Sequence, residues 1–529
     1  MFYRTIDEVL PVIGEFGMFQ ICMQTVYSAM KFPQQLQVLI TYFLSLSPPW
    51  ICIQTSGGCV QNMTYPPENK LRCLIPRESW AYTRSESYSI VTYYDLACGS
   101  EWAIQMSTSI SFIGWGLGSP LVGWLADNYG RRYVLMASYA SMLLISLLGI
   151  VAPSIEVFLL TRFLVGVSMA GVMIAVMTLA CELVGNNYRP ISNIGLFMVN
   201  TSAQCLLPLF AYYLQDSWKL FIVVCTVPYF LVIIALKWMP ESARWLITKG
   251  RTTEAENILK KVAKVNKKNL DDDIVLPSKP CDPQMTKTSL SSLCASTKMT
   301  CKLLSQAYGW FAATMAFYGL SIASDNLGAG SLYLNFFLAT LIELPGSIMA
   351  IFVCKKFGRK PAVIYPMFCS GLIMCIVAFI PDQGDWGTVK LVTGLFGKLL
   401  AAVAFDSVMT WSIELSPTYI RTMSVGIFMV MSRFGGAAAP WIALGLIPYS
   451  KGAPFITMGI ITLLGGFIMV WLPETKDLNI DDEEKLPILD YGILPSSVRE
   501  DSYLQDSWAE IASISFADSL RHRRASFFS

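Results

Sequence analysis

GWLADNYGRR (Gly123–Arg132) decides the fold of this chain, because it returns as CKKFGRK (Cys354–Lys360). Two more stretches recur in the same order. CELVGNNYR (Cys181–Arg189) returns as IELSPTYIR (Ile413–Arg421), and PESARWL (Pro240–Leu246) returns as PETKDL (Pro473–Leu478). The offsets are 228 for Gly130 to Gly358, 232 for Arg189 to Arg421 and 233 for Glu241 to Glu474. Three unrelated motifs held in register over such a span imply two copies of one unit. When such units lie in a membrane, a binding site commonly forms between the halves.

Composition says that they do lie in a membrane. Of 529 residues, 54% are hydrophobic and 14% are charged, whereas an ordinary soluble domain carries roughly 25% charged residues. Val134–Ala152, Ala362–Pro381 and Phe455–Leu472 carry no charge, and about 20 such residues cross a bilayer core as a helix. Trp102–Ala126, Ile191–Gln215 and Leu220–Leu236 are also free of charge. Further long runs, each broken by one or two ionisable groups, start near Phe16, Glu156, Ala307, Gly330, Leu391 and Thr422. The pattern predicts an all-α membrane protein of 12 transmembrane helices in two pseudo-symmetric six-helix bundles. The predicted divisions are a first bundle at 1–239, a linker at 240–306, a second bundle at 307–473 and a polar tail at 474–529.

Several activities are excluded. The one histidine, His522, lies in the tail, which argues against histidine catalysis, histidine proton relays and histidine-ligated metals. No P-loop, GxSxG or HExxH pattern occurs, so no nucleotide-driven pump and no enzyme is expected, and no cofactor or metal. The net charge of +2 points to no nucleic acid partner. The partners implied are the lipid bilayer and a small organic ion. Whether a second ion is carried with it or against it stays open.

Orientation follows from the segment between the first two spans. Residues 47–101 read as a polar loop holding Cys52, Cys59, Cys73 and Cys98 of the chain's 14 cysteines. Four clustered cysteines imply two disulfides in an oxidising compartment, in a pairing the sequence does not fix. The loop also carries Asn62-Met63-Thr64, an N-glycosylation acceptor. With that loop outside, the basic turns at Arg131, Arg132, Arg189, Lys355–Lys360 and Arg421 and the Lys-rich linker all fall inside, as the positive-inside rule requires. Both termini are then cytosolic. The tail ends in Arg523-Arg524-Ala525-Ser526, a basophilic kinase pattern or simply a basic end.

Six stretches in order carry a resemblance: IDEVLPVIGEFGMFQ (Ile6–Gln20), YYDLACGSEW (Tyr93–Trp102), PESARWL, FYGLS (Phe317–Ser321), LYLNFFLATLIELP (Leu332–Pro345) and IELSPTYIRTMSVG (Ile413–Gly426). Across nearly the whole chain they resemble the organic cation/anion/carnitine transporter family of the major facilitator superfamily. The resemblance implies a plasma-membrane carrier working by alternating access, with the major facilitator fold. It also implies a cytosolic clasp that closes the inner gate. Asp127, Arg131 and Arg132, with Glu182 and Arg189, Glu241 and Arg244, and Glu414 and Arg421, supply the opposite charges for it. The second copy has no acid in place of Asp127, so its clasp is expected to be weaker.

Ionisable residues inside the spans are costly in lipid and should face the bundle interior or water. Lys31 sits among Pro33, Gln34, Gln35 and Gln37, in a first span too polar to face lipid. Arg162 begins RFLVG, resembling a superfamily Arg-to-Gly motif with structural and coupling roles both open. Glu343 falls in the eighth span and Asp406 midway through the tenth. Lys398 is expected near the outer end of the tenth, reaching headgroups or a vestibule. Arg433 lies midway through the eleventh, twelve residues after Arg421. At that position the family's cation carriers usually have Asp and its anion and carnitine carriers Arg. Phe317 and Tyr318 match the paired aromatics of the family's pocket. The sequence-based site is therefore Arg433, Asp406, Phe317, Tyr318, Lys31 and Glu343. Organic anions or zwitterions are favoured as substrates. An organic cation carrier of the same family and a non-transporting, receptor-like descendant are the alternatives.

Overall fold

The computed structural model describes residues 6–55, 57–67, 69–185, 188–235, 239–268, 297–328, 330–381, 384–416 and 421–476. The kinase-like tail pattern lies outside these residues. All described residues but 297–300 belong to one compact unit. The helices are α1 (Ile6–Ile13), α2 (Met18–Leu44), the short α3 (Ile90–Tyr93), α4 (Trp102–Tyr129), α5 (Arg131–Leu148), α6 (Ile155–Glu182), α7 (Arg189–Tyr213) and α8 (Trp218–Ala235). Then come α9 (Ala243–Thr248), α10 (Thr252–Val265), α11 (Thr297–Ile322), α12 (Leu332–Leu341), α13 (Glu343–Phe357), α14 (Arg359–Val377), α15 (Asp385–Leu415), α16 (Arg421–Ala443) and α17 (Ala453–Met469).

Six passes make each half: α2 and α4–α8 in the first, then α11, α12–α13 taken as one, and α14–α17 in the second. Seven described helices are long and apolar enough to cross a membrane by length and composition alone. The helix α2 is not one of them, since Lys31 and its glutamines lower its hydropathy despite 27 residues. The eighth pass is interrupted at Ile342. Pro345 explains the break, because a proline has no N–H to donate and its ring crowds the carbonyl four residues back, here that of Leu341. The break sets Glu343 at the start of a new helix.

Glycine governs the tightest packing. Side chains at Gly114 and Gly118 of α4 would strike the Phe163 carbonyl and Val167, and one at Gly166 of α6 would strike the Ser111 carbonyl. With no hydrophobic drive between helices in lipid, such close backbone approach is how they hold together. In the first half α5 packs on α6 and α8, and α2 on α7 and α8. In the second, α14 packs on α15 and α17, and α13 on α15. The halves meet where α4 crosses α16 and α7 crosses α12.

The segment between α2 and α4 is a small domain rather than a plain polar loop. It holds a three-stranded antiparallel sheet of β1 (Trp50–Cys52), β2 (Thr64–Tyr65) and β3 (Trp80–Tyr82), ordered β2-β1-β3. Trp50 faces Tyr65 and Tyr82 across the sheet. The disulfides are Cys52–Cys59 and Cys73–Cys98. Trp50, Ile75 and Trp80 form the core, and the Arg77 guanidinium lies 4.2 Å above the Trp80 ring while pairing with Asp95 at 2.9 Å. Arg72 meets Glu101 at 3.1 Å, tying the domain to the start of α4. Asn62 is exposed at a turn with φ of 62°. This end of the bundle is called the loop side below, and the opposite end the motif side.

On the motif side Val9, Leu10 and Ile13 of α1 pack with Trp245, Leu246, Leu259 and Val262 of α9 and α10. Asn266 fixes this cap, donating to the Ile13 carbonyl at 2.9 Å and accepting from the Phe19 N–H at 2.9 Å. The second half's first helix begins at Thr297, ten residues before the bundle boundary read from the sequence.

A Gly166→Leu substitution is expected to separate α4 from α6 and abolish a monodisperse species. Fluorescence-detected size-exclusion chromatography of the full chain checks this. A normal elution profile would remove the glycine contact from the account.

Candidate functional site

Six of the ionisable side chains held inside the two halves fall into three groups. The second half contributes the most completely matched one. Lys398 of α15 is 1% exposed, with its Nζ 2.9 Å from Glu343 Oε1. The same ammonium donates to the Phe317 carbonyl and lies 3.6 Å from the centroid of the Phe317 ring. Asp406, two turns further along α15, hydrogen-bonds Ser347 and sits within the field of Lys398. The sequence reading of Lys398 as a group reaching headgroups is therefore corrected. The break at Ile342 turns Glu343 inward, and a buried acid beside it is a far better partner for an ammonium than a distant interface.

Arg433 of α16 forms the second group. It is 7% exposed and lies against α4, in the other half. Its guanidinium carbon is 3.5 Å from the centroid of the Trp115 ring. A cation over an indole face is the strongest of the aromatic–cation arrangements. The Tyr318 hydroxyl hydrogen-bonds the same guanidinium, and Phe112 packs on Tyr318 at 4.9 Å between centroids. Neither Asp406 nor Glu343 pairs with Arg433. Gly116 gives the arginine its room, since a Cβ there would lie 3.2 Å from Arg433 Cβ.

Lys31 and Arg162 make the third group, on the seam between α2 and α6. Lys31 Nζ meets Gln34 Oε1 at 2.9 Å and Met173 Sδ at 2.6 Å, and it lies within the field of Arg433. Gln34 Nε2 donates to the Met169 carbonyl at 3.0 Å. Arg162 Nη1 reaches Gln37 Oε1 at 3.4 Å.

Phe317 and Tyr318 bridge the first two groups. They are adjacent on α11, with ring centroids 5.2 Å apart. Phe317 stacks on Phe405 at 4.8 Å, and Tyr318 faces Phe112. Arg433, Tyr318, Phe317, Glu343 and Asp406 thus form one connected wall, and Lys31 approaches it from the first half. Trp115, Phe112 and Phe405 belong to this wall and were not singled out from the sequence. The only hint of Trp115 was its place between Gly114 and Gly116, which clears space on both sides.

Toward the loop side the halves close over this wall. Ser109 Oγ donates to the Ala437 carbonyl at 2.6 Å across the α4–α16 crossing. Phe43 and Tyr42 of α2 stack on Tyr333 and Phe336 of α12, at 6.0 and 5.8 Å between centroids. Toward the motif side a Cβ added at Gly123 of α4 or at Gly426 of α16 would meet nothing within 4 Å, so neither glycine packs on a neighbouring helix.

The repeated motifs build the same device twice. Gly130 has φ of 106° and Gly358 has φ of 109°, a backbone region that L side chains rarely adopt. Each glycine turns the chain into a new helix, and a carboxylate closes over that helix's first N–H groups. Glu241 accepts from Arg131 N and Arg132 N at 3.1 Å each. Glu474 accepts from Arg359 N at 2.9 Å and Lys360 N at 3.1 Å. Anions are favoured at such helix starts. Beside them Arg131 pairs with Asp127 at 3.3 Å and Glu182 at 3.9 Å, and Arg359 pairs with Glu414 at 3.0 Å. The second copy was expected to be weaker for want of Asp127. Within its own half, its Arg359–Glu414 pair is shorter than Arg131–Glu182, and Glu414 is 19% exposed where Asp127 is 74% exposed. Arg244 Nε donates to the Glu182 carbonyl at 3.3 Å, and Arg421 Nε to the Ser416 carbonyl at 3.2 Å. The Arg189 side chain lies outside the described residues. The pairs Arg131–Asp127, Arg131–Glu182 and Arg359–Glu414 each join groups of one half.

The profile of the sugar (and other) transporter family matches residues 63–482. Solute carrier family 22 member 3 of Rattus norvegicus is 30% identical over 423 residues, covering 79% of this chain and 76% of its own. Organic cation/carnitine transporter 2 of Homo sapiens is 28% identical over 530 residues, covering 90% and 93%. Among solved structures, the inward open conformation of the xylose transporter XylE from E. coli has a TM-score of 0.57 at 15% identity, over 88% of this chain and 99% of that one. The crystal structure of a D-xylose-proton symporter has a TM-score of 0.58 at 16% identity, over 87% and 99%. At such identity the two structures speak for the fold alone.

Breaking the buried Lys398–Glu343 pair by Lys398→Met should cost about 3–5 kcal/mol, because it strands a carboxylate. Adding Glu343→Gln should recover most of the loss. Thermal unfolding of the purified single and double variants reads this, and strictly additive losses would defeat the pairing. On the motif side, Glu241→Ala removes the acceptor of two helix-start amides and should cost about 1–2 kcal/mol. Asp127→Asn should cost under about 1 kcal/mol, as exposed ion pairs do. The same assay ranks the two, and the reverse order would overturn the capping role.

Proposed function

Because this chain belongs to the sugar (and other) transporter family of the major facilitator superfamily, and within it to solute carrier family 22, we propose that it carries a small organic ion bearing a carboxylate or similar anionic group. It is a multi-pass membrane transporter and not an enzyme. The observation that carries the proposal is Arg433, a permanent cation buried at the crossing of the two halves, set against Trp115 and Tyr318 and with no acid paired to it among the described residues. A guanidinium presents a planar fork that matches a carboxylate in two parallel hydrogen bonds. Lys31 adds a second ammonium on the facing half. Phe317, Tyr318, Phe112 and Phe405 offer flat apolar walls for the rest of an amphiphilic solute.

A zwitterion is the second reading, and the Glu343–Lys398–Asp406 group favours it. Two acids share one lysine there, which leaves a negative surplus at the end of the wall away from Arg433. The aromatic faces between the two ends suit a quaternary ammonium. The human relative named as an organic cation/carnitine transporter fits this charge layout.

The turnover we propose is alternating access at the plasma membrane, with the loop side outside and both termini in the cytosol. The loop-side contacts between the halves fit a state closed on that side. In the opposite state the motif-side groups Arg131, Arg132, Glu182, Arg189, Glu241 and Arg244, with Arg359, Glu414, Arg421 and Glu474, would come within reach of the other half and act as the clasp. Pairs of this kind bias a two-state equilibrium by a few kcal/mol, enough to shift populations strongly.

Uptake of labelled anions, zwitterions and cations into cells expressing the chain tests the site. Arg433→Ala should cut anion or zwitterion uptake about tenfold or more at equal surface expression, the cost of losing a charged hydrogen-bond donor. Arg433→Asp should abolish it. Unchanged uptake by both variants would take Arg433 out of the site.

A further inference from the structure

The first half has an electrostatic imbalance that transport of an organic ion does not use. Between their ends, α2, α4, α5, α6, α7 and α8 carry two cations, Lys31 and Arg162, and no acid. Asp127, Glu156 and Glu182 all lie at helix ends. Arg162 is the sharper case, because a guanidinium does not give up its proton in a protein. It is 1% exposed. The groups facing it are neutral: Gln37, the Phe158 ring at 5.1 Å, Tyr94 and Tyr229. Only Nη1 has a partner. Nε and Nη2 have none among the described residues, and neither has Nε2 of Gln37.

These orphaned atoms are all donors. Nη2 lies against Gly149, where an added Cβ would stand 2.8 Å from it. Thr41, one turn beyond Gln37 on the same face of α2, also has an unpartnered hydroxyl. Burying a cation unpaired costs several kcal/mol, and unmade hydrogen bonds add to that. A water molecule would accept the hydrogen bonds but leave the charge unmatched. A small monovalent anion meets both needs.

We propose that the α2–α6 seam holds a chloride-class anion site, built from Arg162 Nε and Nη2 and the Gln37 amide and flanked by Gly149, separate from the substrate anchor at Arg433. The bound anion is a structural counter-ion for the first half. It neutralises the lone guanidinium and holds α2 against α6 while the two halves move as bodies. The polar ladder Arg162–Gln37, Gln34–Met169 and Lys31–Gln34 runs from this site toward Arg433, so occupancy also sets the field at the substrate end.

The test uses the purified full chain in detergent micelles or nanodiscs, with sodium chloride exchanged for sodium gluconate at constant ionic strength. Thermal unfolding of the wild type should rise by several degrees with chloride and saturate, as linkage requires for a ligand of the folded state. Bromide and nitrate should substitute. Arg162→Gln should lose the response. Gln37→Glu guards against a misfolded arginine variant, because it supplies the counter-charge from the protein. In gluconate it should match or exceed the wild type in chloride, and chloride should then add nothing. Arg433→Ala should keep the full chloride rise. A wild type indifferent to all three anions, a chloride rise that persists in Gln37→Glu, or one that vanishes in Arg433→Ala would each overturn the site.

Discussion

A charge held away from water must be matched, and the way each half meets that demand organises everything else in this protein. The second half meets its lysine internally, with one acid to spare. Lys398 is clamped between Glu343 and the Phe317 carbonyl, with Asp406 close by. The first half supplies no acid to do so. Its Lys31 leans on an amide and a thioether, and Arg162 on a single amide oxygen. Arg433 belongs to the second half by sequence, yet it rests on an indole of the first. The result is an interior whose net charge is positive, with its lone cations along α2, α6 and α16.

The duplicated motifs explain how such an asymmetric interior can sit in a symmetric frame. Glu241 and Glu474 close over equivalent helix starts beside equivalent glycines, with nearly the same distances. These are backbone contacts, indifferent to what the helices carry further in. The frame therefore keeps each half folded while the interior residues diverge. Neutral Gln37 and Gln34 face one seam, and ionised Glu343 and Lys398 the other.

What was legible in the sequence was what depends on local pattern. The register of GWLADNYGRR with CKKFGRK gave two halves, and uninterrupted apolar runs gave the passes. What stayed hidden depends on where a helix ends or turns. Lys398 looked like a headgroup lysine because the interruption at Ile342, set by Pro345, brings Glu343 to it from another pass. The Arg359–Glu414 pair stayed hidden because its partners are 55 residues apart, whereas Asp127 and Arg131 are neighbours on one turn. The pairing Cys52–Cys59 and Cys73–Cys98 required the sheet that brings Trp50 beside Trp80. Trp115 was missed for a related reason, since an aromatic in an apolar span has no signature until its neighbour across the halves is known.

The place of Arg433 also says how a substrate could drive the cycle. A ligand shifts a two-state equilibrium only through contacts that differ between the states. The α4–α16 crossing is one of the places where the halves meet, and the Arg433–Trp115 contact is part of it. On the proposed reading, a carboxylate arriving at the guanidinium would compete with the indole for the same cation, and so would act on the joint between the halves rather than on a pocket wall within one of them. Tyr318 is bonded to the same guanidinium and adjoins Phe317, whose carbonyl and ring hold Lys398. Movement at the anchor is thus passed through two neighbouring residues of α11 to the matched charges of α15, with no need for a longer relay.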